Sequence, residues 1–444
     1  MHIFQIPEIQ ELDSRKNILR IPPEVDVPLT DRVRKLIDTA EFRRLAQVRQ
    51  LGFVALVYPG AAHSRFEHSL GVFRLAVLLL KRLAHDEDFV RIVPVRACEL
   101  FLLTALLHDL GHYPYCHLIE DLHLSLPSHE EEIARFLLEP GSEIAEIIRN
   151  DWELFPEDVL YLLSGKKPKI PTLLSEAPEL HALLSSMLSG PVDIDKMDYL
   201  QRDSLHAGVP YGRNYDQDRL LASLCLNEAR NGLAISSKGK TAAELLVFAR
   251  YVMFSEVYWH HTVRSATAMF QRLYFDLHQI HGPALCRKIR DLSDTEAGKL
   301  FCELHAALPS AALCTSLFGP RRMLFKQLAE FSSFEFPELY HLLARKPYRF
   351  LTEFSAELCR ELRIPAHDLL IDAPPMGREI EFRVSIRTAS GSFRPLQELS
   401  PVVRSLALEQ FDDLVKRVRI FIHPQWIEKK EEFLKIFTQM LPTR

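Results

Sequence analysis

A helix-length run that is almost wholly apolar ends directly in a cluster of ionisable residues. The run Glu99–Leu107 reads ELFLLTALL, and residues 108–117 read HDLGHYPYCH, with three histidines and one aspartate. A helix that is apolar nearly all round belongs in a core, and Gly111 and Pro114 are signals that end it. Because ionisable groups are costly to bury without partners, this end of the helix should open on a polar cavity.

Apolar residues recur with helical spacing through most of the chain, which predicts a mainly α fold with a small α+β appendage at the C-terminal end. The chain has 444 residues and only 16 glycines. The predicted helices are Val33–Leu51, Ser69–Leu83, Cys98–Leu107, Glu130–Leu138, Glu143–Arg149, Thr241–Arg264 and Met269–Ile280. The predicted strands are Ile18–Ile21, Gly232–Ser236, Ile380–Ile386 and Arg417–Ile422.

Composition excludes several classes of protein. Apolar residues make up 47% of the chain, but no run of about 18 of them predicts a membrane span. The start, MHIFQIPEIQELDSRKN, lacks the pattern of a signal peptide, so the expected location is the cytoplasm. The net charge of -5 gives no general attraction to nucleic acid. Seven scattered cysteines without a CxxC pair predict reduced thiols rather than disulfides.

The opening cluster contains two neighbouring groups that suit a divalent metal ion. His108 offers an imidazole nitrogen and Asp109 a carboxylate oxygen, which together fit Mn, Fe, Co, Ni, Zn or Mg. Two ligands do not complete a site. Further candidates are His63 and His68 in AAHSRFEHSLGV and three aspartates, Asp193, Asp195 and Asp198, in PVDIDKMDYLQRD. Taken singly, each segment is also compatible with a purely structural role as a helix cap or a solvated helix face.

Taken in order, these segments resemble the HD-domain metal-dependent phosphohydrolases, in particular the branch that contains the dNTP triphosphohydrolases. The resemblance runs from about Asp38 to His261. It is carried by the segments IDTAEFRRL, QLGFVALVYPGAAHSRFEHSLGV, HDLGHYPYCH, VDIDKMDYLQRD and ARYVMFSEVYWHHT. It implies an HD-domain helical core and hydrolysis of deoxynucleoside triphosphates to a deoxynucleoside and inorganic triphosphate.

The element pattern, together with the extent of the resemblance, predicts a division of the chain into four parts. Residues 1–30 form an N-terminal extension with a short strand, and residues 31–285 form the HD-domain phosphohydrolase core. Residues 286–370 form a helical region, and residues 371–444 form a small α+β subdomain. A chain of this length is expected to contain more than one packed unit.

By this resemblance, one divalent metal ion (Mn, Fe, Zn, Co, Ni or Mg) is held by four ligands: His68, His108, Asp109 and Asp195. Three histidines, His112, His117 and His129, match residues that contact phosphate or protonate the leaving 5′ oxygen. Of these, His117 is the expected acid, because an imidazole titrates near neutral pH.

The resemblance implies substrate contacts as well. The basic residues Arg65, Lys196 and Arg250 match phosphate contacts. The residues that match the sugar pocket are Gln50, Leu51, Tyr199, Asp203 and Tyr258. In that pocket Gln50 and Asp203 are expected to bind the 3′-hydroxyl, while Leu51 and Tyr258 crowd the position of a 2′-hydroxyl, which favours deoxyribose.

The sequence departs from the family pattern at two places. Glu120, followed by Asp121, stands where the family has an aspartate that orients the catalytic histidine. Asp38 matches a guanine-reading residue, but Arg43 and Ala46 replace the glutamine and arginine that accompany it. GTP activation in the same manner is therefore not expected, although the resemblance leaves a nucleotide activator open and implies a homo-oligomer, dimer or tetramer.

Two alternative functions are compatible with the sequence. The first is an HD-type phosphodiesterase or nuclease that acts on single-stranded nucleic acid or another nucleotide phosphate ester. It keeps the metal ligands and does not need Asp203 or Tyr258. The second is a nucleotide-sensing protein with a vestigial site. The complete set of four metal ligands counts against it, because a protein without turnover has no need of all four.

Overall fold

The computed structural model describes residues 2–14, 16–23, 25–124, 126–376, 384–408, 413 and 415–439. It confirms the mainly α fold with a small sheet-bearing appendage. The first twelve α-helices are α1 Pro7–Gln10, α2 Asp31–Ile37, α3 Ala40–Arg43, α4 Arg65–Leu83, α5 Glu87–Ile92, α6 Val95–Leu107, α7 Cys116–Glu120, α8 His129–Leu138, α9 Glu143–Asn150, α10 Pro156–Ser164, α11 Pro178–Ser189 and α12 Ile194–Ala207. The next are α13 Gln217–Ser223, α14 Lys240–Met253, α15 His261–His281, α16 Ala284–Ile289, α17 Asp294–His305, α18 Ala311–Phe318, α19 Pro337–Leu343, α20 Tyr348–Leu362, α21 Leu396–Leu399 and α22 Pro401–Leu408, followed by a C-terminal helix, Lys430–Gln439.

Nine short strands form three sheets among the described residues. The strands are β1 Ile18–Ile21, β2 Val25–Pro28, β3 Leu224–Leu226, β4 Leu233–Ser236, β5 Lys326–Phe331, β6 Leu369–Asp372, β7 Ser385–Arg387, β8 Phe393–Pro395 and β9 Val418–Ile422. Their orders are β1-β2, β3-β4-β7-β8 and β5-β9-β6. Of the predicted strand Ile380–Ile386, residues 380–383 lie outside the described residues.

Helix α4 lies in the core and packs against both α6 and α12. Ser64 begins it, because its hydroxyl accepts from the backbone N–H of Glu67 at 3.4 Å. At Gly71 a Cβ atom would collide with the carboxylate of Asp198 and the guanidinium of Arg202 on α12. Glycine is therefore required for the close approach that brings charged residues of α12 against the buried face of α4.

Two predicted helices are broken in the structure. The predicted helix Val33–Leu51 is wrong as one element, because Thr39 ends α2 and caps α3: its hydroxyl donates to the Leu36 carbonyl at 2.7 Å and accepts from Phe42 N at 3.3 Å. The predicted helix Thr241–Arg264 is interrupted by a π-helical turn, Phe254–Tyr258. Such turns insert an extra residue into a helix and redirect its side chains.

The prediction that all cysteines are reduced is wrong for one pair. Cys302 on α17 and Cys314 on α18 form a disulfide, with Cα atoms 5.5 Å apart. The two helices pack against each other, so residues twelve positions apart meet. The spacing alone gave no signal of this, because it depends on how α17 and α18 pack. The other five cysteines are free and buried.

The predicted division into four parts stays a prediction. Ile3 and Ile6 of the predicted extension, and Ile386 of β7, belong to the same hydrophobic cluster as α4 and α6. The β5-β9-β6 sheet joins strands from both sides of the predicted boundary at residue 370.

Among the described residues, no helix has the length and apolarity needed to cross a membrane.

Candidate active site

Four side chains from three helical segments converge at the N-terminal half of α4. The Nε2 atom of His68 lies 3.0 Å from Asp195 Oδ1, 3.3 Å from His108 Nε2 and 3.9 Å from Asp109 Oδ2. The Nε2 atom of His108 lies 3.5 Å from Asp109 and 3.8 Å from Asp195. The structure thus brings together the four residues that the sequence predicted as metal ligands.

Both imidazoles in this cluster have one nitrogen already engaged. His68 Nδ1 lies 2.9 Å from Asp198 Oδ2, and His108 Nδ1 lies 2.9 Å from the Ala105 carbonyl. These acceptors hold a ring proton on Nδ1, so Nε2 is the nitrogen of each ring that is directed at the cluster and can bind a metal ion when it carries no proton. A carboxylate or carbonyl behind the ring is the usual support of a metal-binding histidine.

Asp198 is itself fixed by a buried charge network. Arg202 donates to its two oxygens at 2.8 and 2.7 Å. The same guanidinium donates to Glu67 at 2.6 Å, and Glu67 lies 2.8 Å from Nε2 of His206. Because an ion pair with two hydrogen bonds holds a side chain in one orientation, this network fixes the ring of His68.

The electrostatics of the cluster favour a cation. Burial alone would lower the pKa of His68, but its contacts with Asp195 and Asp198 raise that pKa to about 10. Burial alone would raise the pKa of Asp109, yet it lies well below the usual range because His112 and the Arg65 guanidinium are close. Two carboxylates and two Nε2 atoms, with the proton on His68 Nε2 displaced by the ion, are the donor set of a divalent metal ion, so the residues present fit one.

A second cluster lies beside the first and contains three histidines and Glu120. The carboxylate of Glu120 lies 3.2 Å from His117 Nδ1 and 2.9 Å from His129 Nδ1. His112 lies 3.1 Å from Asp109 through Nδ1 and 3.2 Å from His117 through Nε2. Burial would raise the pKa of Glu120, but the hydrogen bonds with His117 and His129 lower it below its ordinary value. Glu120 therefore contacts the predicted acid, His117.

A cavity of about 430 Å³ opens next to both clusters. Arg65 lines it and also donates to Asp109 Oδ2 at 2.9 Å, so the cavity and the metal-ligand cluster share one residue. Of the predicted residues, the cavity is lined by Gln50, Leu51, Arg65, His117, Tyr199 and Tyr258. Asp121 also lines it.

Among the residues that the structure describes, several buried polar atoms in or near the cavity wall have no hydrogen-bond partner. They include Oε1 of Gln50, Nε of Arg65 and Nε of Arg250. Buried polar atoms are normally paired, and exceptions often mark a ligand position. An acceptor on Gln50 together with donors on two arginines suits a ligand that carries both hydroxyl and anionic groups.

Several predicted residues do not line the cavity. Lys196 pairs with Asp193 at 2.7 Å, and Asp193 also caps α12 by accepting from Lys196 N. Asp203 is buried behind Tyr258, whose hydroxyl donates to it at 2.6 Å. Burial and the positive charges of Arg250 and Lys196 act on Tyr199 in opposite senses, and its pKa is raised. Lys196 and Arg250 therefore lie close to Tyr199, which lines the cavity.

Sequence reasoning missed a large part of the cavity wall. Its apolar side contains Phe53, Tyr113, Tyr115, Trp259 and Val263. Lys416, just before β9, also lines the cavity, although it is more than 150 residues from the resembling segments. No local pattern signals these residues, because they meet only through the packing of α15 and the C-terminal strands. Asp198, a candidate metal ligand in the sequence, instead contacts Nδ1 of His68 and pairs with Arg202 four residues later on α12.

The fold and this site define a class of helical, metal-binding hydrolase. The chain matches the HD domain family over residues 65–203 and the HD associated region over residues 215–436. It is 31% identical over 396 residues to an uncharacterized protein of Methanocaldococcus jannaschii. The match covers 88% of this chain and 76% of that protein. The protein belongs to the HD-domain phosphohydrolase family.

Two further likenesses define how far the family resemblance extends. A solved structure of a hypothetical protein from Aquifex aeolicus covers 94% of this chain and 99% of that one, with a TM-score of 0.68 and 26% identity. Human deoxynucleoside triphosphate triphosphohydrolase SAMHD1 is 28% identical over 253 residues, 53% of this chain. The chain spans only 40% of that protein and 57% of a related Bacillus subtilis protein.

Proposed function

We propose that the protein hydrolyses deoxynucleoside triphosphates, with one divalent metal ion, to a deoxynucleoside and inorganic triphosphate. The observation that carries the proposal is the position of Arg65, which contacts Asp109 of the metal-ligand cluster and also lines the cavity. A ligand there can place a phosphate beside the metal-ligand cluster and its sugar among Gln50, Leu51 and Tyr258. The similarity to SAMHD1, whose name describes this reaction, supports the same assignment.

The four converging residues, His68, His108, Asp109 and Asp195, would hold an ion of Mn, Fe, Zn, Co, Ni or Mg. When bound, such an ion supplies Lewis-acid polarisation of the phosphate and a more acidic water. Asp198 keeps Nε2 of His68 directed at the ion position through its contact with Nδ1. The protein's part is therefore to fix the ligands before substrate arrives.

The phosphate chain would lie along the basic side of the cavity. The Nε of Arg65 and the Nε of Arg250 are buried without partners and would donate to phosphate oxygens. Lys196 now pairs with Asp193 at 2.7 Å and would exchange that carboxylate for a phosphate. Charge-assisted hydrogen bonds of this kind bind and orient a phosphate more strongly than neutral ones.

The second cluster would move the proton. His117 lines the cavity, and contact with Glu120 engages its Nδ1; its Nε2, which lies 3.2 Å from His112 Nε2, would exchange that contact for the leaving 5′ oxygen and protonate it. Glu120 also contacts His129, so one carboxylate orients both rings. His112 and His129 would contact phosphate. The longer glutamate side chain replaces the family's aspartate in this role.

The sugar would lie at the opposite end, where Gln50, Leu51, Tyr199 and Tyr258 line the cavity. Leu51 and Tyr258 would crowd a 2′-hydroxyl, and Gln50, with Asp203 behind Tyr258, would serve the 3′-hydroxyl. A site built to pair a hydroxyl discriminates strongly against analogues that lack it. A nucleotide activator, a homo-oligomer and a cytoplasmic location stay predictions.

Incubating metal-reconstituted protein with a panel of dNTPs and NTPs, and identifying products by chromatography, tests the proposal. The expected products are inorganic triphosphate and a deoxynucleoside. Release of diphosphate or monophosphate would contradict it, as would absence of turnover with every metal. In the second case, retained nucleotide binding would favour the vestigial sensing protein.

The variant Tyr258→Phe distinguishes the proposed hydrolysis of deoxynucleoside triphosphates from the phosphodiesterase or nuclease alternative. It keeps the aromatic ring and removes only the hydroxyl that contacts Asp203. We expect weaker selection of dNTPs by this variant. Unchanged activity, together with cleavage of a single-stranded oligonucleotide by the wild-type protein, would favour the alternative.

A further inference from the structure

We propose that His63 is a positioning residue that fixes the sugar end of the cavity as a set of hydrogen-bond acceptors, so that the site selects a ligand with a hydroxyl donor there. This inference rests on the proposed function, which places the sugar at that end. It concerns a residue that contacts no phosphate or metal ligand. Its basis is a buried chain of three side chains, His63, Asp203 and Tyr258.

The chain is short and its contacts are close. Nε2 of His63 lies 2.9 Å from Asp203 Oδ1, and the Tyr258 hydroxyl donates to Asp203 Oδ2 at 2.6 Å. The His63 side chain is wholly buried, and that of Asp203 is 3% exposed. Of the three, only Tyr258 lines the cavity. Asp203 thus connects a buried imidazole to the cavity wall.

The proton of His63 can be placed by elimination. Its Nδ1 is buried and has no hydrogen-bond partner among the residues that the structure describes. A proton on Nδ1 alone would leave a buried N–H unpaired and direct a lone pair at a carboxylate, and both are unfavourable. A proton on Nε2 avoids both, so Nε2 donates to Asp203.

The surroundings keep the imidazole in this orientation. The ring of His63 stacks on that of His206, with centroids 4.3 Å apart and planes 13° apart. His206 is held by Glu67 at 2.8 Å. The loop that carries His63 packs so closely on α12 that a Cβ atom at Gly60 would collide with the carbonyl oxygen of His206.

His63 and the Tyr258 hydroxyl both donate to Asp203. The polar atoms that the sugar end of the cavity offers to a ligand are therefore acceptors. The Tyr258 hydroxyl has used its only proton, so the lone pairs of its oxygen are what it offers to the cavity. Oε1 of Gln50, which also lines the cavity, is a buried acceptor without a partner. A ligand group that donates, such as the 3′-hydroxyl of a deoxyribose, satisfies these atoms. A ligand without a donor leaves them unpaired.

A matched pair of variants isolates the donor. His63→Gln keeps an N–H near the position of Nε2, and His63→Met has nearly the same shape without any donor. For each protein, kcat/KM is measured with a dNTP and with its 2′,3′-dideoxy analogue. We expect the preference for the 3′-hydroxyl to fall about tenfold in His63→Met, as for loss of one charge-assisted hydrogen bond, and to stay near wild type in His63→Gln.

Two controls exclude a general structural effect. His181→Leu removes another stacked histidine, which packs on Tyr161 with centroids 3.8 Å apart, and should leave the preference unchanged. Metal content should be the same in all variants. An equal loss of activity on both substrates in His63→Met, or an unchanged preference, would overturn the inference. If His63→Met does not fold, Asp203→Asn, which adds an amide donor, should lose the preference instead.

Failure of the proposed function gives a different result. If wild-type protein hydrolyses no dNTP, calorimetric titration with a deoxynucleoside and with its 2′,3′-dideoxy analogue needs no turnover. A preference for the hydroxyl that is lost in His63→Met would then support the inference alone. Equal affinity of wild-type protein for both compounds would overturn it.

Discussion

The metal-ligand cluster and the cluster around Glu120 lie side by side, but the protein holds them in different ways. The side chains of His68 and Asp109 are 1% and 6% exposed, whereas that of His117 is 57% exposed. His68 is fixed through Asp198 by a buried ion pair with Arg202. His117 is held by contacts of 3.2 Å with Glu120 and with His112, and no buried ion pair fixes it among the described residues. The first arrangement suits a fixed ion and the second a ring that exchanges protons with a substrate.

Removing a ligand from the first cluster should have the largest effect. His68→Ala and Asp195→Ala are each expected to lose metal and to reduce turnover by at least about 10³-fold, or about 4 kcal/mol of barrier. The loss follows because three ligands no longer hold the ion against water. Elemental analysis and a turnover assay on the same preparations measure both effects, with His181→Leu as the control. Full metal content in either variant would show that the cluster is not the metal site.

Changing the second cluster should separate activity from metal binding. His117→Ala is expected to keep its metal and to lower kcat by about 10²- to 10⁴-fold, the usual range for a general acid. Its KM should change little, because His117 acts on the leaving oxygen. Metal loss that parallels the loss of activity would remove the distinction between the two clusters.

The support behind the first cluster should matter less than the ligands themselves. Asp198→Asn keeps an acceptor near His68 but removes the charge that Arg202 pairs with. We expect metal affinity to fall about 10- to 100-fold, as for other carboxylates that orient a metal-binding histidine. Competition with a chelator measures this affinity. The substitution Asp13→Asn, at an exposed position, provides a control. An unchanged affinity would mean that packing around α4, rather than Asp198, orients the ring.

The smallest expected effect concerns the pH dependence of stability. Burial opposes ionisation of Glu120, but hydrogen bonds from His117 and His129 lower its pKa in the folded state. The ionised carboxylate therefore stabilises the fold above the ordinary glutamate pKa of about 4.3, and this stabilisation is lost as the pH falls through the lower folded pKa. Glu120→Gln should reduce the free energy of unfolding by about 1 kcal/mol at pH 6.

Denaturant unfolding of wild type and Glu120→Gln at pH 6 and at pH 3 measures this difference. We expect the two proteins to differ most at pH 6 and less at pH 3, because the stabilisation begins to fall below the ordinary glutamate pKa. A difference that does not depend on pH would show that Glu120 acts through packing and not through its charge.

Much of the helical core was accessible from the sequence because its signals are local. The apolar periodicity of Ser69–Leu83 predicts most of α4, and that of Cys98–Leu107 most of α6. The breaks at Thr39 and at Phe254–Tyr258 were not, since helix-compatible spacing continues through both. At Thr39 a side-chain hydrogen bond to the backbone competes with the helix and wins.

For the site, motifs identified residue types and the fold arranged them. The sequence motifs identified His68, His108, Asp109 and Asp195 as one ligand set, and the structure brings them within 4 Å of their neighbours. They did not show that Lys196 pairs with Asp193, or that Asp203 lies behind Tyr258. The first pairing is local to the start of α12 and competes with a phosphate contact, whereas the second depends on the approach of separate helical segments.

The sequence by itself determined the helical class, the order of the motifs and the chemistry of their side chains, because periodicity and residue type are properties of short segments. The tertiary structure decided which nitrogen of His68 faces the metal-ligand cluster and which donors face Asp203. Those outcomes depend on distances of about 3 Å between residues far apart in the chain, where a hydrogen bond either forms or does not. The orientation of each buried polar group is therefore set by packing, and the polarity of the cavity follows from it.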